Sequence, residues 1–543
     1  MKADVLLKGG TLLITKGNVV ENGYVAVSGN KVISSGAGDY SRFVSDSTQI
    51  IEIEDDQFIM PGIHDNHVHL IISGIYGKYL SLKGILSQKE TLEKAAEFAK
   101  GVPDGEWIIG IGYNRFVWDD EKFPPRTELD KVTGDKPAFF LDSELHSAWV
   151  NSKALEIAGI TKDTPDPLYG IIERDENGVP NGYLHELALV IVGKIALAFD
   201  ETARRDLIKL YMKRANMWGI TSCSDMTPYL GFDLSFPETF YDMAEKNELT
   251  VRVNSARNLY EDIEKYLEIK RKYEHTTSGM YSILYMKQFL DGVIAGHTAL
   301  LLEPYCDKPD WRGEGLFEID KLEKAVDDAH RNNVSVRLHA CGDGSLRVAM
   351  DAYEKATKKY GKMEMRHQIE HVELIHPDDI KRFKELDVIP SVQPEHIVSD
   401  INTFSNNTYP ALLGKDRERY TWAFKTLLEA DAVLAFGSDT PVAEGDPFLG
   451  MYVARKRVHE DGTPEGGWNP QESLTIEEIL EAYTKGAAYA EGKENELGTL
   501  EEGKLADIVV LDRNLLKVSD EEIKDAKVLY TIVDGKVVFE GSK

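Results

Sequence analysis

The chain has 543 residues, of which 42% are hydrophobic and 29% charged, and a formal net charge of −29 at pH 7. Its length asks for about three structural units and excludes a small binding module, and its composition is that of a globular chain rather than a disordered or low-complexity one. So acidic a surface repels phosphate backbones and anionic headgroups, and no basic stripe interrupts it, which argues against nucleic-acid and membrane partners.

Residues 1–57 alternate in the manner of strands. The opening residues lack a signal-peptide core and read as a short strand running into a turn at Gly9-Gly10. Gly29-Asn30 sits between Gly23–Ser28 and Lys31–Ser35, a two-residue pair suited to a hairpin turn. From there short apolar runs alternate with helical stretches, at Phe58–Ile63, Gly219–Ser224, Thr250–Ser255, Ile283–Phe289, Val334–His339, His367–His371, Val388–Val392 and Ala432–Gly437. Such alternation predicts parallel strands with crossover helices, and eight of them close a (β/α)8 barrel. Ile319–Asn332 is the clearest helix, with Leu322, Ala325, Val326 and Ala329 on one stripe. Roughly 150 residues separate the first run from Gly219, far more than one crossover needs, so 75–205 is expected to form an inserted subdomain over the active-site face. Inside it, Leu184–Phe199 is broken by His185, Glu186 and Lys194 and reads as a buried amphipathic helix, too short to span a bilayer.

The C-terminal end returns to strands, with Ala506–Leu511 and a second hairpin at Asp534-Gly535 between Val528–Val533 and Lys536–Phe539. Residues 1–57 and 490–543 are therefore expected to share one β-sandwich, leaving 58–74 and 206–489 to the barrel. The expected fold is α/β: a TIM barrel, a sandwich built from both termini, and an insertion after the first barrel strand. Three cysteines, Cys223, Cys306 and Cys341, with no C-x-x-C pair, make neither a disulfide framework nor a thiolate zinc site, and point to a reducing, cytoplasmic location.

The polar residues at the strand ends carry the chemistry. His67 and His69 follow the first run as His-Val-His, and at strand spacing both imidazoles face one side. His339 ends the fifth run, His371 the sixth, and Asp439 follows the eighth. One histidine on a strand is more often a hydrogen-bonded core residue, but four histidines and an aspartate gathered at one rim of a barrel call for a metal. Neutral imidazole with carboxylate suits Zn²⁺ and its first-row neighbours, as one or two ions. Lys287, near the end of the fourth run, is left undecided by its chemistry, because an ammonium is repelled by a divalent ion. No Gly-x-Ser-x-Gly elbow or phosphate loop is present, and Gly110-Ile-Gly112 lacks the third glycine of a dinucleotide motif. Metal-activated hydroxide is then the economical nucleophile, with Asp439 as the proton shuttle.

Pro61-Gly-Ile-His-Asp-Asn-His-Val-His69 and Leu497-Gly-Thr-Leu-Glu-Glu-Gly-Lys-Leu-Ala-Asp-Ile-Val-Val-Leu-Asp512 are similar to the barrel entry and the C-terminal sandwich entry of the amidohydrolase superfamily. Trp107–Tyr113, His146–Leu155 and Gly182–Ala188 resemble insertion motifs of its YtcJ-like branch, which includes N-substituted formamide deformylases. The resemblance implies that His67 and His69 hold the more buried metal, His339 and His371 the second, and Asp439 a ligand's place as well as the shuttle's. It also implies a role for Lys287, which many members carboxylate to bridge two metals; the carbamate is anionic and the repulsion disappears. His146 falls in an insertion motif as a candidate substrate contact, and His64 departs from the apolar residue common at its position.

The function expected is hydrolysis of a non-peptide C–N bond, an N-formyl, N-acyl or cyclic amide, in a small-molecule substrate. A metal-dependent lactonase or arylesterase, and a non-catalytic interaction protein on the same fold, are the alternatives. The substrate pocket is expected from loops Gly296–Gly315, with Tyr305 and Trp311, and His396–Tyr409, with His396, together with the insertion. A homo-oligomer, a dimer, is the expected assembly.

Overall fold

The computed structural model describes residues 1–115, 118, 124–143, 145–226, 234–273, 276, 278–399, 408–459 and 461–542, so the loop His396–Tyr409 lies partly outside the described residues. Two compact units make up the chain: Met1–Val68, Met212–Met226 and Phe240–Lys543 form one, and His69–Tyr211 with Thr227–Thr239 the other.

In the first unit both chain ends join in one mixed eight-stranded sheet. The hairpins at Gly29-Asn30 and Asp534-Gly535 form at the expected register, with Ser28 opposite Lys31 and Val533 opposite Lys536. Strand Gln49–Pro61 joins the two ends, parallel to Val5–Thr15 and antiparallel to Ile508–Leu511. Strand alternation sends Leu6, Tyr24 and Ala26 to one apolar cluster and Leu7, Val25 and Val27 to another. Gly9-Gly10 is not a turn. Val5–Thr15 runs straight through it with a register shift, and Gly9, at φ +104°, passes so close to Ile53 that a Cβ would lie 2.1 Å from its carbonyl oxygen.

Eight parallel strands form the barrel: Ile63–Val68, Ile220–Asp225, Arg252–Asn258, Tyr281–Phe289, Ser335–Ala340, Gln368–His371, Ile389–Val392 and Ala435–Phe436, each hydrogen-bonded to the next. The first differs from the expected Phe58–Ile63. Phe58, Ile59 and Met60 pair with Leu511, Val510 and Val509 in the terminal sheet, and the barrel begins at Ile63. Hydropathy selects the wrong segment because the barrel strand is Ile-His-Asp-Asn-His-Val, whose four polar side chains are nonetheless buried. Ile319–Arg331 is the expected helix and buries Leu322, Val326 and Ala329. Arg252, at the start of the third strand, fixes barrel to terminal sheet through Asp507, at 2.8 and 3.1 Å, and through the hairpin residue Asp534 at 2.8 Å.

The last and first strands do not share a ladder. The seam between them is closed by the segment after the eighth strand. The Asp439 N–H donates to the His67 carbonyl at 2.7 Å, Thr440 bridges to Val68, and Ser438 donates to the Asp65 carboxylate through N–H at 2.8 Å and Oγ at 2.6 Å.

The second unit holds a six-stranded sheet, in which Leu80–Ser81, Ile108–Tyr113 and Ala138–Asp142 run parallel and Ser147–Val150, Pro180–Glu186 and Gly170–Arg174 antiparallel. Its core is aromatic, with Tyr113, Trp118, Phe140, Trp149 and Tyr183 packed together. The stretch Leu184–Phe199 is only partly helical: its first residues complete the strand Pro180–Glu186, and the helix is Leu189–Ala196. Among the described residues no helix is long and apolar enough to cross a membrane.

Candidate metal centre

His67 lies within the first barrel strand and His69 just beyond its end, two residues on, where strand alternation returns the side chain to the same side. His371 ends the sixth strand with φ +73°, followed by Val372 at +48°, and Asp439 follows the eighth at +58°. A β-branched residue in this region is strained, and such strain persists only where the surroundings hold it, typically at functional sites. Among the described residues, three sets of side chains bring possible ligand atoms within 4.8 Å of one another: His67, His69 and Asp439; His371, His396 and Asp439; and Asp291, His339 and Cys341.

Asp439 stands at the meeting of the first two sets. Its Oδ1 lies 3.2 Å from His67 Nε2, and its Oδ2 lies 3.3 Å from His396 Nε2 and 4.0 Å from His371 Nδ1. The far side of each imidazole is fixed by a partner that sequence reasoning missed. His67 Nδ1 donates to Glu370 Oε2 at 2.6 Å, and Glu370 in turn accepts from Arg337 Nε at 2.6 Å. Burial opposes ionisation of Glu370, but Arg337 and His67 hold its carboxyl well below the usual range, so it is an acceptor and His67 presents Nε2. His371 Nδ1 donates to Gln393 Oε1 at 2.9 Å, which leaves Nε2 with its lone pair. Burial, with His339 adding to it, holds His371 well below the usual imidazole range and hence neutral. His67 is the contrary case: against the pull of burial, Asp439 and Glu370 raise it. An imidazole lone pair and a carboxylate oxygen 3.2 Å apart repel each other unless a proton or a cation lies between them. Pre-oriented imidazoles that can each offer Nε2, with a carboxylate between them, are the donor set a divalent cation takes, with orienting partners behind them, so the residues fit the metal expected here.

The third set is of a different kind. Asp291 accepts from the N–H groups of Cys341, Gly342 and Leu300 at 3.1, 2.9 and 3.0 Å and from the Ser345 hydroxyl. His339 Nε2 lies 3.2 Å from the Gly292 carbonyl and 3.4 Å from Cys341 Sγ, although its ring centroid is 4.3 Å from that of His371. Lys287 is buried with its Nζ 5.0 Å from the centre of the Phe289 ring and has no hydrogen-bond partner among the described residues. Burial pushes it down to about 8, Glu370 opposing.

His146, Tyr305 and Trp311 belong to none of these three sets. His146 Nδ1 lies 2.9 Å from Glu186 Oε2, within the second unit. Tyr305 is buried and donates to the Ala299 carbonyl at 2.9 Å, and Trp311 is 42% exposed and donates to the His297 carbonyl at 2.8 Å, so both are bonded within their own loop. His64 lies 2.7 Å from Glu491 and joins none of the three sets.

Residues 55–539 match the model of the amidohydrolase family. The chain belongs to that family. The amidohydrolase is 29% identical to Protein LONG AFTER FAR-RED 3 of Arabidopsis thaliana over 99% of its own length and 92% of the relative's, and 29% identical to the putative amidohydrolase YtcJ of Bacillus subtilis over 94% and 95%. It is 24% identical to the N-substituted formamide deformylase of Arthrobacter pascens over 96% and 94%. Among solved structures, an uncharacterized metal-dependent hydrolase from Pyrococcus horikoshii superposes with a TM-score of 0.77 at 26% identity, over 95% of this chain and 99% of that one. The YtcJ-like resemblance read from the motifs and the barrel architecture are thereby established.

Proposed function

We propose that this amidohydrolase uses a divalent cation, Zn²⁺ first among the candidates, to hydrolyse a non-peptide C–N bond such as an N-formyl, N-acyl or cyclic amide. The observation that carries the reading is the bracketed carboxylate, with Asp439 faced by His67 on one oxygen and by His396 and His371 at the other. The family, a metal-dependent hydrolase among its structural neighbours and a formamide deformylase among its relatives support it. The cation supplies Lewis acidity, lowering the pKa of water from ~15.7 toward ~7 and polarising the scissile carbonyl.

The protein's own part is positional and protonic. Glu370 and Gln393 hold the two imidazoles through Nδ1, so that Nε2 is the atom each presents. Asp439 takes a proton from the attacking water and returns it to the departing nitrogen, and burial of its surroundings strengthens each of these interactions. Lys287, brought down to about 8 by burial, has a minor fraction of neutral, nucleophilic amine at pH 7. Its nitrogen adds to CO₂ with loss of a proton, giving the anionic carbamate that the family resemblance implies. The test is a library of formamides, N-acyl amines and cyclic amides offered to protein loaded with Zn²⁺, Mn²⁺ or Co²⁺, beside Asp439→Asn. Turnover of at least one amide, lost in the variant, is expected; equal turnover by the variant overturns the role of Asp439, and no turnover with any metal overturns the reaction.

A further inference from the structure

The resemblance assigns the second cation to His339 and His371 and is silent on what turns His339 toward it. We propose that Asp291, at the exit of the fourth barrel strand, is the positioning residue of His339: it holds that exit against the turn after the fifth strand, so that the Gly292 carbonyl takes the proton-bearing Nε2 of His339 and Nδ1 is the nitrogen left for the cation. The inference rests on the metal-dependent reading above and deepens it by naming the residue that aims one of the ligands.

His339 Nε2 lies 3.2 Å from the Gly292 carbonyl. A carbonyl only accepts, so Nε2 carries the proton, and the neutral imidazole that a metal takes then has its lone pair on Nδ1. Asp291 Oδ1 stands 3.7 Å from the same Nε2, too far for a hydrogen bond, and its charge favours the proton on that nitrogen. His371 is the counterpart, since Gln393 takes its Nδ1 and leaves Nε2. The two rings, with centroids 4.3 Å apart and planes at 63°, thus offer opposite nitrogens, each set by an acceptor of the protein.

Asp291 is fully buried and gathers four donors from three segments. The Cys341 N–H donates to Oδ1 at 3.1 Å; the N–H groups of Gly342 and Leu300, at 2.9 and 3.0 Å, and the Ser345 hydroxyl donate to Oδ2. The turn after strand five, the helix Asp343–Tyr360 and the loop after strand four therefore meet on one carboxylate. Four donors fill the lone-pair sites of a carboxylate, which makes Asp291 an orienting group rather than a ligand. The peptide between Gly292 and Val293 is fixed from its other side as well. Its N–H, on Val293, donates to Thr298 Oγ1 at 2.9 Å while its carbonyl meets His339, and a planar peptide held at both ends keeps one orientation. The Gly292 N–H donates to the Thr298 carbonyl at 3.2 Å, and a Cβ on Gly292 would lie 2.2 Å from Thr298 Oγ1, so glycine is what lets this turn close.

Zn²⁺ affinity from chelator competition, with metal counted after gel filtration, tests the inference independently of turnover; thermal melts of each variant accompany it. Wild type should hold two equivalents, and His339→Asn should lose one. Asp291→Asn keeps the shape but sets an amide NH₂ among N–H donors, and should weaken one equivalent about 10–100-fold while leaving the other unchanged. Thr298→Val, an exposed isosteric change that leaves Asp291 in place, should weaken the same equivalent about 3–10-fold, the worth of one neutral hydrogen bond. Added to His339→Asn, neither substitution should alter the equivalent that remains, whereas a general loosening of the fold would weaken it. Equal weakening of both equivalents overturns the inference, as does wild-type affinity in Asp291→Asn or, where that variant does not fold, in Thr298→Val. Loss of an equivalent in Asp291→Asn with Thr298→Val at wild-type affinity makes Asp291 a ligand instead and overturns it too. Wild type that holds a single equivalent and still hydrolyses an amide leaves the proposed function standing and overturns the inference alone. Wild type that binds no metal overturns both.

Discussion

His64 and His67 stand three residues apart on one barrel strand, both buried, each beside a buried glutamate, and they do different things. His64 Nε2 lies 2.7 Å from Glu491 Oε2, while Oε1 of the same glutamate accepts from Ser224 Oγ at 2.7 Å and Asn254 Nδ2 at 2.8 Å. Against burial, His64 leads the groups that hold Glu491 down at about 2. There Oε1 takes two hydrogen bonds and Oε2 the ion pair with His64. Around His67 one carboxylate, Glu370, is held by Arg337, and the other, Asp439, lies beside His67 on one oxygen and His396 on the other. Burial and a nearby carboxylate do not mark a ligand. What marks it is a second carboxylate with imidazoles beside both of its oxygens.

The comparison can be broken in several places. Asp439→Asn should lower turnover by about 10²–10⁴-fold, the range for a lost general acid–base group, measured as kcat on the best amide of the screen. Glu370→Gln removes the countercharge of a fully buried Arg337, which keeps its bonds to the Asn66 carbonyl and Ser391, and should cost about 3–5 kcal/mol in urea unfolding. It should also weaken metal affinity about 10–100-fold, because the orientation of His67 is lost. Glu491→Gln, also beside a buried histidine, should cost stability on the same scale of about 3–5 kcal/mol but leave the metal content of the folded protein unchanged. Loss of metal there would erase the distinction between the two histidines.

A third imidazole sharpens it through pH. The Val336 N–H donates to His367 Nδ1 at 3.1 Å, so His367 donates through Nε2 to His330 Nδ1 at 3.0 Å, and His330 Nε2 donates to the Gly361 carbonyl at 2.8 Å. This chain of donors has no place for a further proton on His367, and burial, with His330 adding to it, pushes that residue down to about 3. The unfolded chain takes the proton near pH 6.5, so below that pH the unfolded state binds more protons and stability falls as pH falls. Between pH 7 and 5 the loss should be about 2 kcal/mol in urea melts, and His367→Gln should flatten that slope. The smallest change is Gly437→Ala, whose Cβ would lie 2.5 Å from His67 N; a cost of about 1–3 kcal/mol is expected, with weakened metal binding if the shift reaches His67.

Much of this was readable in the amino-acid order, and the omissions have physical causes. His67, His69, His371 and Asp439 could be singled out because each ends or follows a strand, the position that a barrel turns toward one rim. The first barrel strand was displaced to Phe58–Ile63 because apolar runs identify strands buried on both faces, and Ile63–Val68 is buried with a polar sequence. Glu370 and Gln393 were missed because nothing in their local spacing announces a contact; Glu370 meets His67 across 303 residues, and only folding brings them together. The six-stranded sheet of the second unit was read only as an insertion, its short strands lost among loops.

The seam between the first and last barrel strands has an evolutionary consequence. Asp65, His67 and Val68 on one side and Ser438, Asp439 and Thr440 on the other are at once the stitching of the barrel and the neighbourhood of its chemistry. A lineage that discarded the reaction would have to find new stitches before it could let these positions drift. Laboratory selection for a new substrate therefore has more freedom in the loops after the other strands than in these two short segments, where a gain in activity and an open barrel are one mutation apart.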